Sequence, residues 1–369
     1  RHRVLYKAFD RFKRNIPNDF NSFCEQNSYW LDDYALFCAV KDYFGGEPFY
    51  YWNEDIKYRE ELAIEEYINV CNERILYYKM LQYFAFSQWL GLKKYAFDNG
   101  ISIIGDMPIY VAGDSADVWA NREIFKLDSN LEASDLAGCP PDYFSPDGQL
   151  WGNPVYDWRK LKKEKYAWWI ERLNHSFKIY DIVRIDHFRG FESYYSIKAG
   201  SKTARKGAWR KGGGKSFFDA LPKEFNDRII AENLGFLTDE VDKLLEYTGF
   251  PGMKVLQFSF DSRDENSKIL PDDIKKNNVV YTGTHDNDTI LGWSQNADKK
   301  DVAYAMRYLN ALNKYDLIDK MNECAMKCDA NTCILTMQDL LHLGSEARMN
   351  TPSTLGNNWK WRMKKDDLT

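Results

Sequence analysis

Apolar residues recur at spacings of three and four over the first hundred positions, then gather into short uninterrupted runs. Residues 3–14, RVLYKAFDRFKR, carry the first helical period. A second spans residues 20–45 and is closed by Gly45 and Gly46. Pro48 to Asp55 reads as an aromatic turn region, and residues 56–98 as one or two long helices. There Ile64, Tyr67, Ile68, Cys71, Ile75 and Tyr78 form one face, and Gly100 supplies the stop. Beyond residue 99 the pattern becomes strand and helix in alternation. Strand-like runs are Ser102 to Tyr110, Asp181 to Phe188, Arg228 to Glu232, Met253 to Phe260, Asn278 to Thr284 and Thr332 to Met337. Helical stretches intervene at 160–178, 237–247 and 300–326, and Thr238 stands as an N-cap before Asp239 and Glu240. Six strands with helical crossovers predict a parallel α/β sheet, open or closed into a barrel.

The ends of these runs carry the chemistry. Ile103 to Pro108 leads into Asp106, Ile182 to Ile185 into Asp186, Ile229 to Ala231 into Glu232, and Val279 to Thr284 into His285, Asp286 and Asp288. Alternation puts Arg184 on the same side of its strand as Asp186, where a cation keeps a carboxylate ionised. Any one acid could cap a strand end or join a structural ion pair. Four in succession repel one another unless something uses them. Hard-metal binding and glycosidic-bond chemistry both use such a cluster. Arg184 and His285 favour the second, because cations compete with a metal. So do the aromatics of the loops, Tyr110, Trp119, Tyr143, Phe144, Trp151, Tyr156, Trp158 and Trp293, whose flat faces suit sugar rings.

Composition narrows the class. The chain has 369 residues, enough for a large barrel or two domains, and 44% are apolar. A net charge of −5 favours neither nucleic acid nor an anionic membrane as partner. No apolar run reaches a membrane span and the first residues are charged, so the expected location is the cytoplasm. Seven scattered cysteines fit free thiols in a reducing compartment. Cys324, Cys328 and Cys333 have no histidine at ligand spacing, and no metal site is expected. Gly212-Gly213-Gly214-Lys215 follows no strand and reads as a surface loop, not a phosphate cradle.

The segments WLDDYALF, KYRE, IIGDMPIYVAGDSADVWA, PPDYFSPDGQLWGNPVYDW, VRIDHFRGFE, AENLG, GFPGMKVLQF, YTGTHDNDT and GSEARMN, between about residues 30 and 369, resemble the 4-α-glucanotransferases. These amylomaltases, or disproportionating enzymes, form glycoside hydrolase family 77 in the α-amylase clan. The resemblance implies an α/β fold, a (β/α)8 TIM barrel with helical insertions. Residues 1–98 would be a mainly helical subdomain and 99–369 the catalytic barrel, strands three to eight. The first two strands, and the last helix, would be absent from this chain, and the protein would be longer at its front. By the same resemblance Asp186 would be the nucleophile, Glu232 the acid/base and Asp286 a transition-state stabiliser. Asp106, Arg184 and His285 would bind or organise substrate, and Trp151 would belong to a lid over bound glucan.

The implied activity is transfer of α-1,4-glucan segments between maltodextrin or starch-derived chains by a retaining double displacement. The two carboxyls, Asp186 and Glu232, would then stand about 5 Å apart. No cofactor is required, since nucleophile, acid and base are all side chains; donor and acceptor are maltooligosaccharides. Three rivals remain: an α-1,4-glucan hydrolase with the same residues, a non-catalytic glucan-binding protein, and a metal-dependent phosphohydrolase.

Overall fold

A computed structural model describes residues 2–141, 145–235, 237–262, 269–352 and 354–368. Tyr143 and Phe144, counted above among the loop aromatics, lie outside the described residues. The chain divides into two units, Arg1–Arg228 and Ile229–Thr369.

In the first unit the helical expectations hold with sharper boundaries. Helices run His2–Phe12, Phe20–Tyr43, Glu61–Val70 and Asn72–Asp98. The last ends where Ile101 N–H reaches the Ala96 carbonyl at 2.9 Å around Gly100, a six-to-one closure that needs the left-handed residue glycine supplies. Phe9, Phe12, Phe20, Tyr77 and Met80 form the core that ties the first of these helices to the second and the last. The expected helix 160–178 is two, Trp158–Lys163 and Ala167–Ile179. Lys165 and Tyr166 part them with φ of 54° and 57°. The turn exists because Tyr166 is buried and its hydroxyl bonds Ser216 at 2.6 Å; tertiary packing overrides the local helical period.

Six strands of this unit are β1 Ile104–Met107, β2 Asp135–Cys139, β3 Gln149–Pro154, β4 Ile182–Ile185, β5 Ser193–Lys198 and β6 Gly207–Lys211. β1 and β4 are parallel, with Asp106 opposite Arg184 and Met107 opposite Ile185. Gly105 lies where any Cβ would come within 2.1 Å of the Tyr180 ring, so glycine alone fits between strand and ring. At the start of β4, Arg228 donates to the carbonyls of Asp181, Phe177 and Tyr180 at 2.8–3.0 Å, closing the helix end against the strand.

The remaining strands make an antiparallel sheet in the order β3-β2-β5-β6. This sheet goes beyond the sequence reading, which had QLWGNP as a loop and no strand between Gly190 and Arg228.

In the second unit β7 Ile229–Ala231, β8 Gly252–Val255, β9 Asn278–Tyr281 and β10 Thr332–Ile334 are parallel in sequence order. With β1 and β4 they correspond to the six strands expected. The run Met253 to Phe260 ends earlier as a strand than its composition suggests, because Leu256–Ser259 turns helical. The helix expected at 300–326 is Lys299–Leu309 and Lys314–Lys327, divided by Asn310 at φ 54°. Thr238 precedes helix Asp239–Thr248 as expected, but its side chain makes no cap bond. Leu256, Phe260, Val280, Ile290, Leu317 and Met321 lie in one buried cluster under these helices. No helix among the described residues is long and apolar enough to cross a membrane.

Candidate active site

The carboxyl end of β1 and β4 gathers four of the expected residues. Arg184 is the hub. Its Nη1 donates to both carboxylate oxygens of Asp106, at 2.7 and 2.8 Å. Its Nη2 lies 3.0 Å from Asp186 Oδ1. The Arg184 side chain is only 11% exposed, whereas those of Asp106 and Asp186 are 43% and 42% exposed. The alternation that placed Arg184 and Asp186 on one face is therefore real. A buried guanidinium holds two carboxylates whose outer surfaces remain open. Asp186 is fixed further by its N–H, which donates to the Met107 carbonyl at 3.0 Å. Beyond β1, Arg172 fastens the chain by donating to the carbonyls of Pro108 and Ile109 at 2.7 and 3.0 Å.

His187 follows with φ 53°. Burial, and then the Arg189 charge, pull its imidazole down to about 3, so it is neutral at working pH. Trp151 meets it edge to face, ring centroids 4.9 Å apart at 90°. Gly190 lets this turn close: a Cβ there would stand 2.6 Å from Ile109. Trp151 is half-buried, sits in β3, and donates from Nε1 to Gln149 Oε1 at 3.1 Å. It is thus neither a core residue nor the tip of a free loop. The other aromatics named from the sequence are mostly core. Trp119 is fully buried and donates to the Ile56 carbonyl at 3.1 Å. Tyr110, Tyr156 and Trp158 are buried as well, and the hydroxyl of Tyr156 donates to the Ile109 carbonyl at 2.7 Å.

In the second unit Glu232 directly follows β7 and is 8% exposed. Its Oε1 accepts the Leu234 N–H at 2.7 Å. The neighbouring Asn233 turns the other way and accepts the Met253 N–H at 2.7 Å, locking the β7–β8 edge. His285 and Asp286 stand together beyond β9, Nε2 to Oδ2 3.4 Å. Two residues the sequence reading did not assign hold them. Asn350 donates from Nδ2 to Asp286 Oδ1 at 2.6 Å and from its N–H to the His285 carbonyl at 3.0 Å. Arg348 donates to the Asp286 carbonyl at 2.6 Å. Both belong to the GSEARMN segment, but nothing in that string says that it folds back onto residues more than sixty positions earlier. Asp288 has a structural part: Ser345 Oγ donates to it at 2.7 Å and its carbonyl accepts Gln257 at 2.8 Å.

Comparison with known proteins agrees with the motifs. A family model described as 4-alpha-glucanotransferase matches residues 1–368. The chain is 51% identical to the 4-alpha-glucanotransferase of Streptococcus pneumoniae, over all of this chain and 74% of the relative. It is 46% identical to that of Clostridium butyricum, over all of this chain and 76% of the relative. The solved amylomaltase from Streptococcus agalactiae in complex with acarbose superposes with a TM-score of 0.94 at 42% identity, covering 99% of this chain and 74% of that one. This likeness bears out the α/β barrel class read from the sequence.

Proposed function

We propose, from the premise that the chain belongs to the 4-alpha-glucanotransferase family, that Asp186, Glu232 and Asp286 carry a retaining transfer of α-1,4-glucan segments between maltodextrin or starch-derived chains. Asp186 attacks the anomeric carbon. As that C–O bond breaks, Glu232 gives its proton to the departing 4-oxygen, leaving a glycosyl ester on Asp186. Glu232 then takes the proton of an acceptor 4-hydroxyl, which displaces Asp186 and restores the α-configuration. Asp286 and His285 hold sugar hydroxyls as the ring flattens toward the oxocarbenium ion. The observation that carries this reading is the Arg184 hub, which orients a partly open carboxylate at the strand end where α/β barrels keep their chemistry. Glu232 adds to this reading, as a nearly buried carboxyl directly after β7.

The test is the product profile from maltotriose. Transfer gives glucose together with a ladder of longer maltodextrins. Glucose and maltose without longer products would make the protein a hydrolase, and no products at all a glucan-binding protein.

Arg184→Met should lower activity and move the acid limb of the pH–rate profile upward. The cation that pairs with both Asp106 and Asp186 is gone. An unmoved limb would make Arg184 purely structural. Arg184→Lys should recover part of the shift but not all, since an ammonium has no fork to span two carboxylates.

Trp151→Ala should raise the ratio of hydrolysis to transfer. Water stands at about 55 M, so transfer prevails only where the acceptor is positioned well beyond that advantage. Trp151 packs on His187, next to the proposed nucleophile. Total rate should fall, by up to about 10²-fold if acceptor geometry is disturbed. Reducing ends counted against longer products from maltotriose give the ratio; an unchanged ratio would remove Trp151 from acceptor selection.

A further inference from the structure

We propose that Trp359 is an aromatic platform for a pyranose ring of the glucan, lying beside the hydroxyl-binding pair His285 and Asp286. The proposal rests on the reading of that pair as glucan-binding groups, and adds a residue that the motifs did not suggest.

Three observations converge on it. First, Trp359 is 51% exposed, while Trp119 and Trp169 are fully buried, so its indole has surface open to a ligand. Second, its ring centroid is 5.1 Å from that of His285, at 39°. One part of the indole is therefore placed against the imidazole and half of the residue remains open. Third, its backbone is left-handed, φ 63°, a conformation that disfavours a bulky residue and persists only where the surroundings impose it.

Those surroundings are a fastened strap. The Trp359 N–H donates to the Met349 carbonyl at 2.6 Å. Asn358 accepts the Thr351 N–H at 3.1 Å and donates to the Thr354 carbonyl at 3.1 Å. Arg362 donates to the carbonyls of Trp359 and Trp361 at 3.0 and 2.7 Å. The same strap begins with Arg348 and Asn350, which grip Asp286 at 2.6 Å each. One continuous segment thus fixes a carboxylate and delivers an indole to the same place. A pyranose presents what such a pair recognises: an apolar C–H face for the ring and an edge of hydroxyls for carboxylate and imidazole.

The test uses the full chain with maltoheptaose as probe, measuring its Kd by calorimetry and kcat for disproportionation. Trp359→Leu keeps apolar bulk but has no flat face, and should raise Kd about tenfold while leaving the melting temperature in place. Trp359→Phe should stay within about threefold of wild type, since it keeps a ring. If both variants bind as wild type, or if both lose kcat alone with Kd unchanged, Trp359 only braces His285 and the platform is overturned. Asp286→Asn separates this from the underlying reading. Should it abolish transfer while Trp359→Leu binds normally, the platform alone fails. Should Asp286→Asn leave both transfer and Kd unchanged, the reading of the pair fails and the platform with it.

Discussion

Asp186→Asn is expected to lose at least about 10³-fold of transfer activity while the protein stays folded. The amide has the shape of the carboxylate, and the backbone bond from residue 186 to the Met107 carbonyl does not depend on the side chain. Arg184 retains its two bonds to Asp106, so the hub stays anchored. What disappears is an anionic oxygen able to bond to the anomeric carbon. An amide oxygen is a poor nucleophile. The loss should therefore fall on kcat, with maltodextrin binding and the melting temperature close to those of wild type. Glucose release from maltotriose gives the rate. Activity within tenfold of wild type would move the nucleophile elsewhere.

Glu232→Gln should divide substrates by their leaving groups. With maltotriose the departing sugar oxygen needs a proton, and the loss should be on the order of 10² to 10⁴-fold. An α-maltosyl fluoride leaves as fluoride without that help, so its first step should proceed within about tenfold of wild type. Glutamine preserves the acceptor for the Leu234 N–H, which keeps the turn after β7 in place. Equal loss on both donors would exclude Glu232 as the acid, because a damaged fold or a binding defect penalises both alike.

What the sequence shows and what it hides differ for physical reasons. The parallel strands were legible because their runs are short, β-branched and bounded. Val183, Ile185, Ile230, Val279 and Val280 are all buried in them. The acids and Arg184 were legible because charge at the end of such a run has no place in a core. The antiparallel sheet was not. Five of the six residues of β5 are buried, so no alternation marks it, whereas the first is the only residue of β6 that is not exposed. β3 was hidden by Gly152 and Pro154, which read as a loop; an edge strand tolerates both. The aromatic loops suggested a sugar-lined groove, yet Trp119, Tyr156 and Trp158 went into the core, and composition alone cannot tell stacking on sugar from stacking on neighbours. Arg348, Asn350 and Trp359 were missed because their partners, His285 and Asp286, are more than sixty residues away. Only the folded strap brings them together.

The most direct measurement is to trap the glycosyl-enzyme. Incubating Glu232→Gln with α-maltosyl fluoride should form the ester and, lacking the base, accumulate it. Peptide mass spectrometry should then find one maltosyl increment on the peptide containing Asp186, and none after brief alkaline treatment. An increment on another carboxylate, or steady fluoride release with no adduct at any time, would contradict a double displacement through Asp186.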